Sequence, residues 1–436
     1  MLFLLFTSYT FYAFAGWKFL PILFGLSFAT YLLALWGCTN WGVFLNLFAL
    51  GLFKYWDFGV ENFNNLLQVA GLGWNAKLLH IGLPLGISFF VFKHIGYLLD
   101  VQKGRFQPTR DFWLFATFSA YFPQISAGPI SNFKDVSQFE NLPRKLDLEK
   151  AYQGMVFISI GLAKKILIAD TLYAFISPHI GHLSELVGLF PAWYFVILYA
   201  MQLYFDFSGY TDLVLGISTW FGISLPPNFD SPYLSKDIGN FWERWHISLS
   251  MWFRNYLFFP ISRSLLTKLG ASRRDGVQYA VNMITMTIIG LWHGAGWGFI
   301  LWGVYHGILL NLNTWIKKKN WNIPPVVNRI FFVVTVMFGW AFFLNPDIYS
   351  LLHLIAQLFG LGLFGFRDLW PIIVYDPSTP ALFIGLIIAF SGFSEAANIV
   401  RKSSKHRAWN AMLFGMLAAL CILFLQKNIQ FAYVQF

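Results

Sequence analysis

Apolar runs long enough to cross a lipid bilayer recur from one end of the chain to the other. They fall at Phe19–Leu35, His80–Leu99, Tyr152–Ile176, Leu186–Phe205, Val277–Leu301, Ile330–Phe343, Ala381–Phe390 and Ala411–Leu425, with shorter runs between them. A hydrocarbon core about 30 Å thick takes roughly 20 residues of helix. Only helices and closed barrels satisfy their backbone groups at that depth, and no series of short alternating segments marks a barrel. Charged residues make up 11% of the 436 positions and hydrophobic ones 57%. An average soluble domain is about a quarter charged, so most of this surface must face lipid. The expectation is an all-α polytopic membrane protein, one domain over 1–436, with about ten to twelve transmembrane or re-entrant helices. The stretches Leu351–Leu363 and Leu369–Tyr375 leave the topology open.

The first basic residue is Lys18. No positive segment precedes the first apolar stretch, which therefore reads as a membrane helix rather than a cleaved signal. Aromatic residues reach 20%, as expected where rings gather at bilayer interfaces. The net charge of +10 collects in loop-like clusters, Lys317–Lys319 and Arg401, Lys402, Lys405 and Arg407. That pattern follows the positive-inside rule, which sets both clusters on the cytoplasmic side and removes any need for a nucleic-acid partner. Cys38 and Cys421 lie far apart in apolar contexts, without metal-ligand or redox spacing.

Four stretches break the apolar pattern. Pro226–Asp275 is rich in charge and in tryptophan, and within it Trp242, Trp245, Leu249, Trp252 and Tyr256 recur at spacings of three and four. Such spacing makes one face of a helix, so Ile238–Phe259 is expected to form an amphipathic helix at an interface or within the bundle, with His246 close to the stripe. Gln202–Asp212 carries Asp206 and Asp212 around Gly209. Carboxylates at membrane depth face a cavity or a partner. Asp206 and Tyr210, four apart, share a helix face. Asp206 caps a helix, pairs with an arginine or lines a cavity opened by a break at Gly209. Ile289–Gly307 holds His293 and His306 among glycines and tryptophans. On an unbroken helix these two point to nearly opposite faces and do not act as a pair. Phe122–Phe133 is dense in proline and glycine and reads as a turn or re-entrant loop.

Taken in order, these stretches resemble the membrane-bound O-acyltransferase family, in particular the branch holding the alginate O-acetyltransferase membrane subunit. The runs that carry the resemblance are LPLGISFFVF (83–92), FPQISAGPI (122–130), YFDFSGYTDLVLGI (204–217), NFDSPYLSKDIGNFWERWHISLSMWFRNYLFFPI (228–261) and LWHGAGWGFILWGVYHG (291–307). The similarity extends over roughly Leu47 to Leu312. Within it, Glu243 stands before Arg244, Asn255 between Arg254 and Tyr256, and Ser262 and Ser264 around Arg263, where the branch usually carries other residues.

The resemblance implies a tunnel through the helix bundle, faced by His293 of LWHG and His246 of RWHISLS. It implies acetyl-CoA as the donor, used without a metal, and a polysaccharide acceptor. It also implies a separate periplasmic or extracellular SGNH-type acetyltransferase partner, and a place in the bacterial cytoplasmic (inner) membrane. His293 is then expected to be the general base, because an imidazole titrates near working pH. His246 orients the acceptor or polarises the thioester carbonyl, and Asp206, Tyr210, Trp242, Arg244 and Trp292 are candidates for the tunnel wall. His306 is read as structural. No serine triad or nucleophile elbow is visible. Two alternatives stand beside acetyl transfer: D-alanyl transfer to teichoic acid, and a transporter without acyl chemistry, whose buried His and Asp would relay protons.

Overall fold

The computed structural model of the chain describes residues 1–143, 145, 147–180, 188–344, 347–361, 378–391, 395–403 and 407–424. Leu369–Tyr375 and Lys405 lie outside the described residues, as do 186–187, 362–363 and 425 at the ends of apolar stretches. Among the described residues every regular element is helical. Leu2–Leu35, Thr39–Val69 and Pro325–Leu344 are long and apolar enough to cross a membrane, and shorter apolar helices lie at Ile348–Leu358, Ser378–Ser391 and Ala408–Leu423. The chain divides into two compact units, Met1–Leu146 with Phe221–Pro226, and Asp147–Trp220 with Pro227–Phe436.

The first unit contains α1 (Leu2–Gly16), α2 (Leu20–Leu35), α3 (Thr39–Leu50), α4 (Trp56–Val69), α5 (Ile87–Gln102), α6 (Phe112–Ala120) and α7 (Ser137–Glu140). Its core is aromatic, built on Tyr97, Phe115, Phe118, Tyr121, Phe133 and Phe139. Asp111 caps α6 by accepting from the Leu114 amide at 3.0 Å, one of the donors a helix start leaves unpaired. The expected turn follows α6, where Gln124 Nε2 donates to the Pro129 carbonyl at 2.7 Å. Gly86 opens α5 with φ 66°, and a side chain there would run into the Ile125 carbonyl. Only glycine fits both demands, so the LPLG and FPQISAGPI stretches are locked together.

A buried polar network ties four helices of this unit. His94 Nδ1 donates to Asn46 Oδ1 at 2.9 Å, and His94 Nε2 accepts from Ser119 Oγ at 2.7 Å. Asn46 Nδ2 donates to Thr30 Oγ1 at 2.8 Å, and Ser119 Oγ lies 2.9 Å from Ser27 Oγ. All five side chains are buried. Replacing His94 by leucine removes partners from Asn46 and Ser119, each worth about 1–3 kcal/mol when buried and unpaired. We expect a clear fall in the unfolding temperature of the detergent-solubilised protein, and an unchanged value would show that the network contributes nothing to stability.

The second unit contains α8 (Leu148–Leu162), α9 (Thr171–Ile176), α10 (Leu189–Trp220), α11 (Ile238–Trp242), α12 (Ile247–Phe253), α13 (Phe259–Leu269), α14 (Arg274–His293), α15 (Trp297–Lys318), α16 (Pro325–Leu344), α17 (Ile348–Leu358), α18 (Ser378–Ser391), α19 (Ala396–Ser403) and α20 (Arg407–Leu423). A π-helical stretch, Ala163–Asp170, joins α8 to α9, and another, Arg254–Phe258, joins α12 to α13. α10 is unbroken through Gly209, which rules out the alternative of a break there. The reason is close antiparallel packing on α8. A methyl on Gly209 would stand 2.9 Å from the Gly161 carbonyl, and one on Gly216 would stand 2.7 Å from that of Gly154. Here glycine allows backbone contact between helices rather than a loop.

The close approach brings lysines of the π-helical stretch against carboxylates of α10. Lys164 Nζ donates to Asp212 Oδ2 at 2.6 Å, and Lys165 Nζ donates to Asp206 Oδ1 at 2.6 Å while lying 2.6 Å from Asp170. Asp206 is fully buried. The two carboxylates in the FDFSGYTD stretch therefore face basic partners, and the partners are lysines rather than the arginine the sequence reading considered.

Candidate active site

The long amphipathic helix expected over Ile238–Phe259 is interrupted. α11 ends at Trp242 and α12 starts at Ile247. Between them, Arg244–Ile247 runs antiparallel to Asn228–Asp230. The Asp230 amide donates to the Arg244 carbonyl at 3.0 Å, the Ile247 amide donates to the Asn228 carbonyl at 2.9 Å, and Phe229 pairs with Trp245. Asn228 Oδ1 also accepts from Ser248 Oγ at 2.6 Å. Gripped from both sides, His246 adopts a left-handed backbone, φ 44° and ψ 54°. A residue with a Cβ held there costs on the order of 1–3 kcal/mol, which the surrounding bonds must offset. The predicted stripe is still buried at Trp242, Trp245, Leu249 and Tyr256, but across two short helices and a turn.

The left-handed kink sets His246 apart from its neighbour. Trp245 packs on Tyr204, Phe229, Phe241 and Trp340. The His246 ring meets Phe207 of α10 edge-on at 4.7 Å and lies 6.1 Å from the Trp292 ring. Trp292 and His293 form the last turn of α14. The helix then stops, because Gly294 and Gly296 are extended, with φ of −166° and −167°. A side chain on Gly294 would collide with Phe299, so α14 and α15 fold back on one another as a tight hairpin.

That reversal corrects the expectation for the two histidines of this stretch. On one continuous helix His293 and His306 would point apart. On two antiparallel helices both rings pack against Trp302, His293 edge-on at 5.2 Å and His306 tilted at 4.7 Å. Phe343 of α16 closes the other side of His293 at 4.9 Å. Trp242 meets Trp302 at 5.5 Å and His306 at 5.2 Å. The result is one buried ring cluster in which His246, Trp292, His293, Trp302, His306 and Trp242 follow in contact. Exposure is 1% at His246 and 4% at His293.

Of the sequence candidates, this cluster holds His246, His293, Trp242 and Trp292. Asp206 belongs to the ion pair between α10 and the π-helical stretch Ala163–Asp170, and Tyr210 follows it one turn later on α10. Arg244 sits at an edge, donating to the Asp230 carbonyl at 3.1 Å and lying 3.8 Å from its carboxylate. Sequence reading missed Trp302 and Phe207, which join the histidines. The signal for Trp302 was present: two extended glycines flanking Ala295 mark a helix reversal, and Trp302 lies one turn before His306. Phe207 comes from a distant helix and carries no local signal.

A polar cavity of about 500 Å³ lies at the Lys318 end of α15 and is lined by Asp237, Asn313, Lys317, Asn320, Trp321 and Asn328. Asp237 caps α11 through the Asn240 amide at 3.0 Å and pairs with Lys317 at 3.0 Å. A narrower cleft shares Asp237, Asn313 and Asn328 and adds Ile238, Leu309 and Phe332. Leu309 and Asn313 lie on the same face of α15 as His306. Among the described residues no group of three His, Cys, Asp or Glu side chains is placed to hold a metal ion.

Among the described residues the regular elements are all helical, three helical stretches are long and apolar enough to cross a membrane, and a histidine cluster lies buried at a glycine-broken hairpin. The model of the membrane-bound O-acyltransferase family, MBOAT, covers residues 112–345, and the chain belongs to that family. The relatives narrow it. The chain is 39% identical over 333 residues to the "Probable alginate O-acetylase AlgI" of Azotobacter vinelandii, covering 75% of this chain and 64% of that protein, so it spans just under two thirds of this relative's length. It is 33% identical to the "Peptidoglycan O-acetyltransferase" of Helicobacter pylori, covering 83% of this chain and 74% of that protein. With the "Teichoic acid D-alanyltransferase" of Streptococcus thermophilus it shares 32% identity over 54% of this chain and 58% of that protein.

Proposed function

We propose that this protein is a membrane-bound O-acetyltransferase that moves acetyl groups from a cytoplasmic thioester donor, acetyl-CoA, toward O-acetylation of a cell-surface or exported polysaccharide. The observation that carries the reading is the buried cluster joining His246 and His293 in a chain of this family. Relatives named as O-acetyltransferases match a larger share of the chain than the D-alanyl relative does, which favours acetyl over D-alanyl transfer. The protein is read as a multi-pass component of the bacterial cytoplasmic membrane, with about ten to twelve transmembrane or re-entrant helices around a central tunnel. An SGNH-type acetyltransferase outside the membrane is read as the partner that completes transfer to the polymer.

In the proposed mechanism His293 takes the proton from an acceptor hydroxyl or thiol as that oxygen or sulfur attacks the acetyl carbonyl. The thiolate of the donor leaves and the acetyl group passes to the acceptor. His246, held by its kinked backbone, orients the acceptor or the carbonyl. Exclusion of bulk water by the tryptophan cluster protects the thioester from hydrolysis.

The test is a comparison of host cells carrying or lacking this chain. Ester-linked acetate is measured on each purified envelope polysaccharide, and ester-linked D-alanine on the same material. We expect acetate to fall on one polymer without the chain and to return on complementation. Unchanged acetate with lost D-alanine would transfer the assignment to the alternative acyl group, and no change in either would sink the acyl-transfer reading.

A further inference from the structure

His306 has no part in the mechanism above, yet the fold sets it in the same cluster as His293. It is 1% exposed. Its ring is tilted 59° on Trp302 at 4.7 Å and stands edge-on to Trp242 at 5.2 Å and 87°. The His293 ring packs on the same indole, edge-on at 5.2 Å and 89°. The indole of Trp302 thus touches both imidazoles, and it packs as well on Trp242, Trp340 and Phe343. Gly339 of α16 also lines the His306 slot, as does Tyr305. A methyl added there would stand 2.9 Å from His306 Nε2 and 3.3 Å from the Tyr305 ring.

Packing alone does not account for a histidine in this slot. Among the described residues, no protein group pairs with His306 Nδ1 or with the indole nitrogens of Trp242 and Trp302. A buried polar atom without a partner costs free energy that an apolar side chain escapes. If the slot served stability alone, leucine would fill it at least as well.

We propose that His306 is a positioning residue for the transfer reaction, fixing the Trp302 indole and, through it, the orientation of the His293 imidazole. The proposal rests on the reading of His293 as the base. It requires no proton transfer and no substrate contact at His306. Trp302 touches both rings, so a shift of the His306 ring moves the surface against which His293 is seated. Small displacements of a reacting group cost large factors in rate.

The test uses the full-length chain in membranes of its host, with acetyl-CoA as donor and acetyl transfer to the envelope polymer as the rate. Amounts of folded protein and unfolding temperatures are measured in parallel. His306→Leu is expected to lower kcat by about tenfold to a hundredfold, with KM for acetyl-CoA within about twofold and an unfolding temperature unchanged or raised. Gly339→Ala displaces the ring from outside and is expected to lower kcat in the same way. In a His306→Asn background, which has no atom at the Nε2 position, the effect of Gly339→Ala should vanish. His293→Gln is run beside them. Wild-type kcat in both His306→Leu and Gly339→Ala, with His293→Gln inactive, overturns the proposal alone. Should His306→Leu fail to fold, Gly339→Ala and its cycle with His306→Asn decide the matter. Activity retained by His293→Gln removes the reading of the base, and the proposal with it.

Discussion

Replacing His293 by glutamine is expected to lower acyl transfer by about 10²- to 10⁴-fold, the range that one positioned general base supplies. The loss should fall on kcat, with KM for the donor little changed, because the proton moves only as the bond to the acceptor forms. Glutamine keeps a planar polar group against Trp292, Trp302 and Phe343, the rings that enclose His293, so the folded amount should hold. The measurement is initial-rate transfer from acetyl-CoA in membranes matched for the quantity of this chain. A variant within about threefold of wild type would leave no room for general-base catalysis at this position.

The second large effect concerns stability. Lys165→Met leaves Asp206 and Asp170 facing each other without their shared cation, and Asp206 is fully buried. Removing one partner of a buried ion pair costs about 3–5 kcal/mol. We expect a large drop in the unfolding temperature of the solubilised protein and in its accumulation in the membrane. The double variant Lys165→Met/Asp206→Leu should recover part of that loss, since it removes the stranded charge along with its partner. If instead the double variant is as unstable as the single one, the stranded charge is not what destabilises the contact between α10 and the π-helical stretch. Transfer rate per folded molecule separates a structural role for Asp206 from a place on the substrate path. Full activity in the folded double variant would remove Asp206 from the tunnel candidates.

These two residues show what a single sequence reveals and what it hides. His293 and His246 stand out because polar side chains at membrane depth need a reason and because the runs around them resemble a family. The buried apolar stripe of Trp242, Trp245 and Leu249 was readable from spacing alone. Its continuity was not. A 3.6-residue period assumes an unbroken helix, and His246 leaves that register through a left-handed backbone imposed by Asn228–Asp230, a segment local periodicity does not report. The same assumption set His293 and His306 on opposite faces, although Gly294 and Gly296 carried the signal for a reversal. Asp206 posed the opposite difficulty: its charge announced a partner, but Lys165 lies on another element, brought near by glycine contacts that look in sequence like a flexible break.

The short extended link from Gly294 to Gly296 has an electrical consequence. It sets the carbonyl end of α14 beside the amide end of α15, two helix termini that carry partial charges of about −0.5 and +0.5. A reaction that generates an imidazolium next to an oxyanion creates opposite charges within a few ångströms of each other. At this turn, in a low-dielectric setting, the backbone alone supplies a field with both signs. Under the proposed mechanism this gives a histidine and tryptophan cluster, none of whose members carries a carboxylate or a guanidinium, a means of stabilising separated charge, so that the break in the helix would support the base at His293.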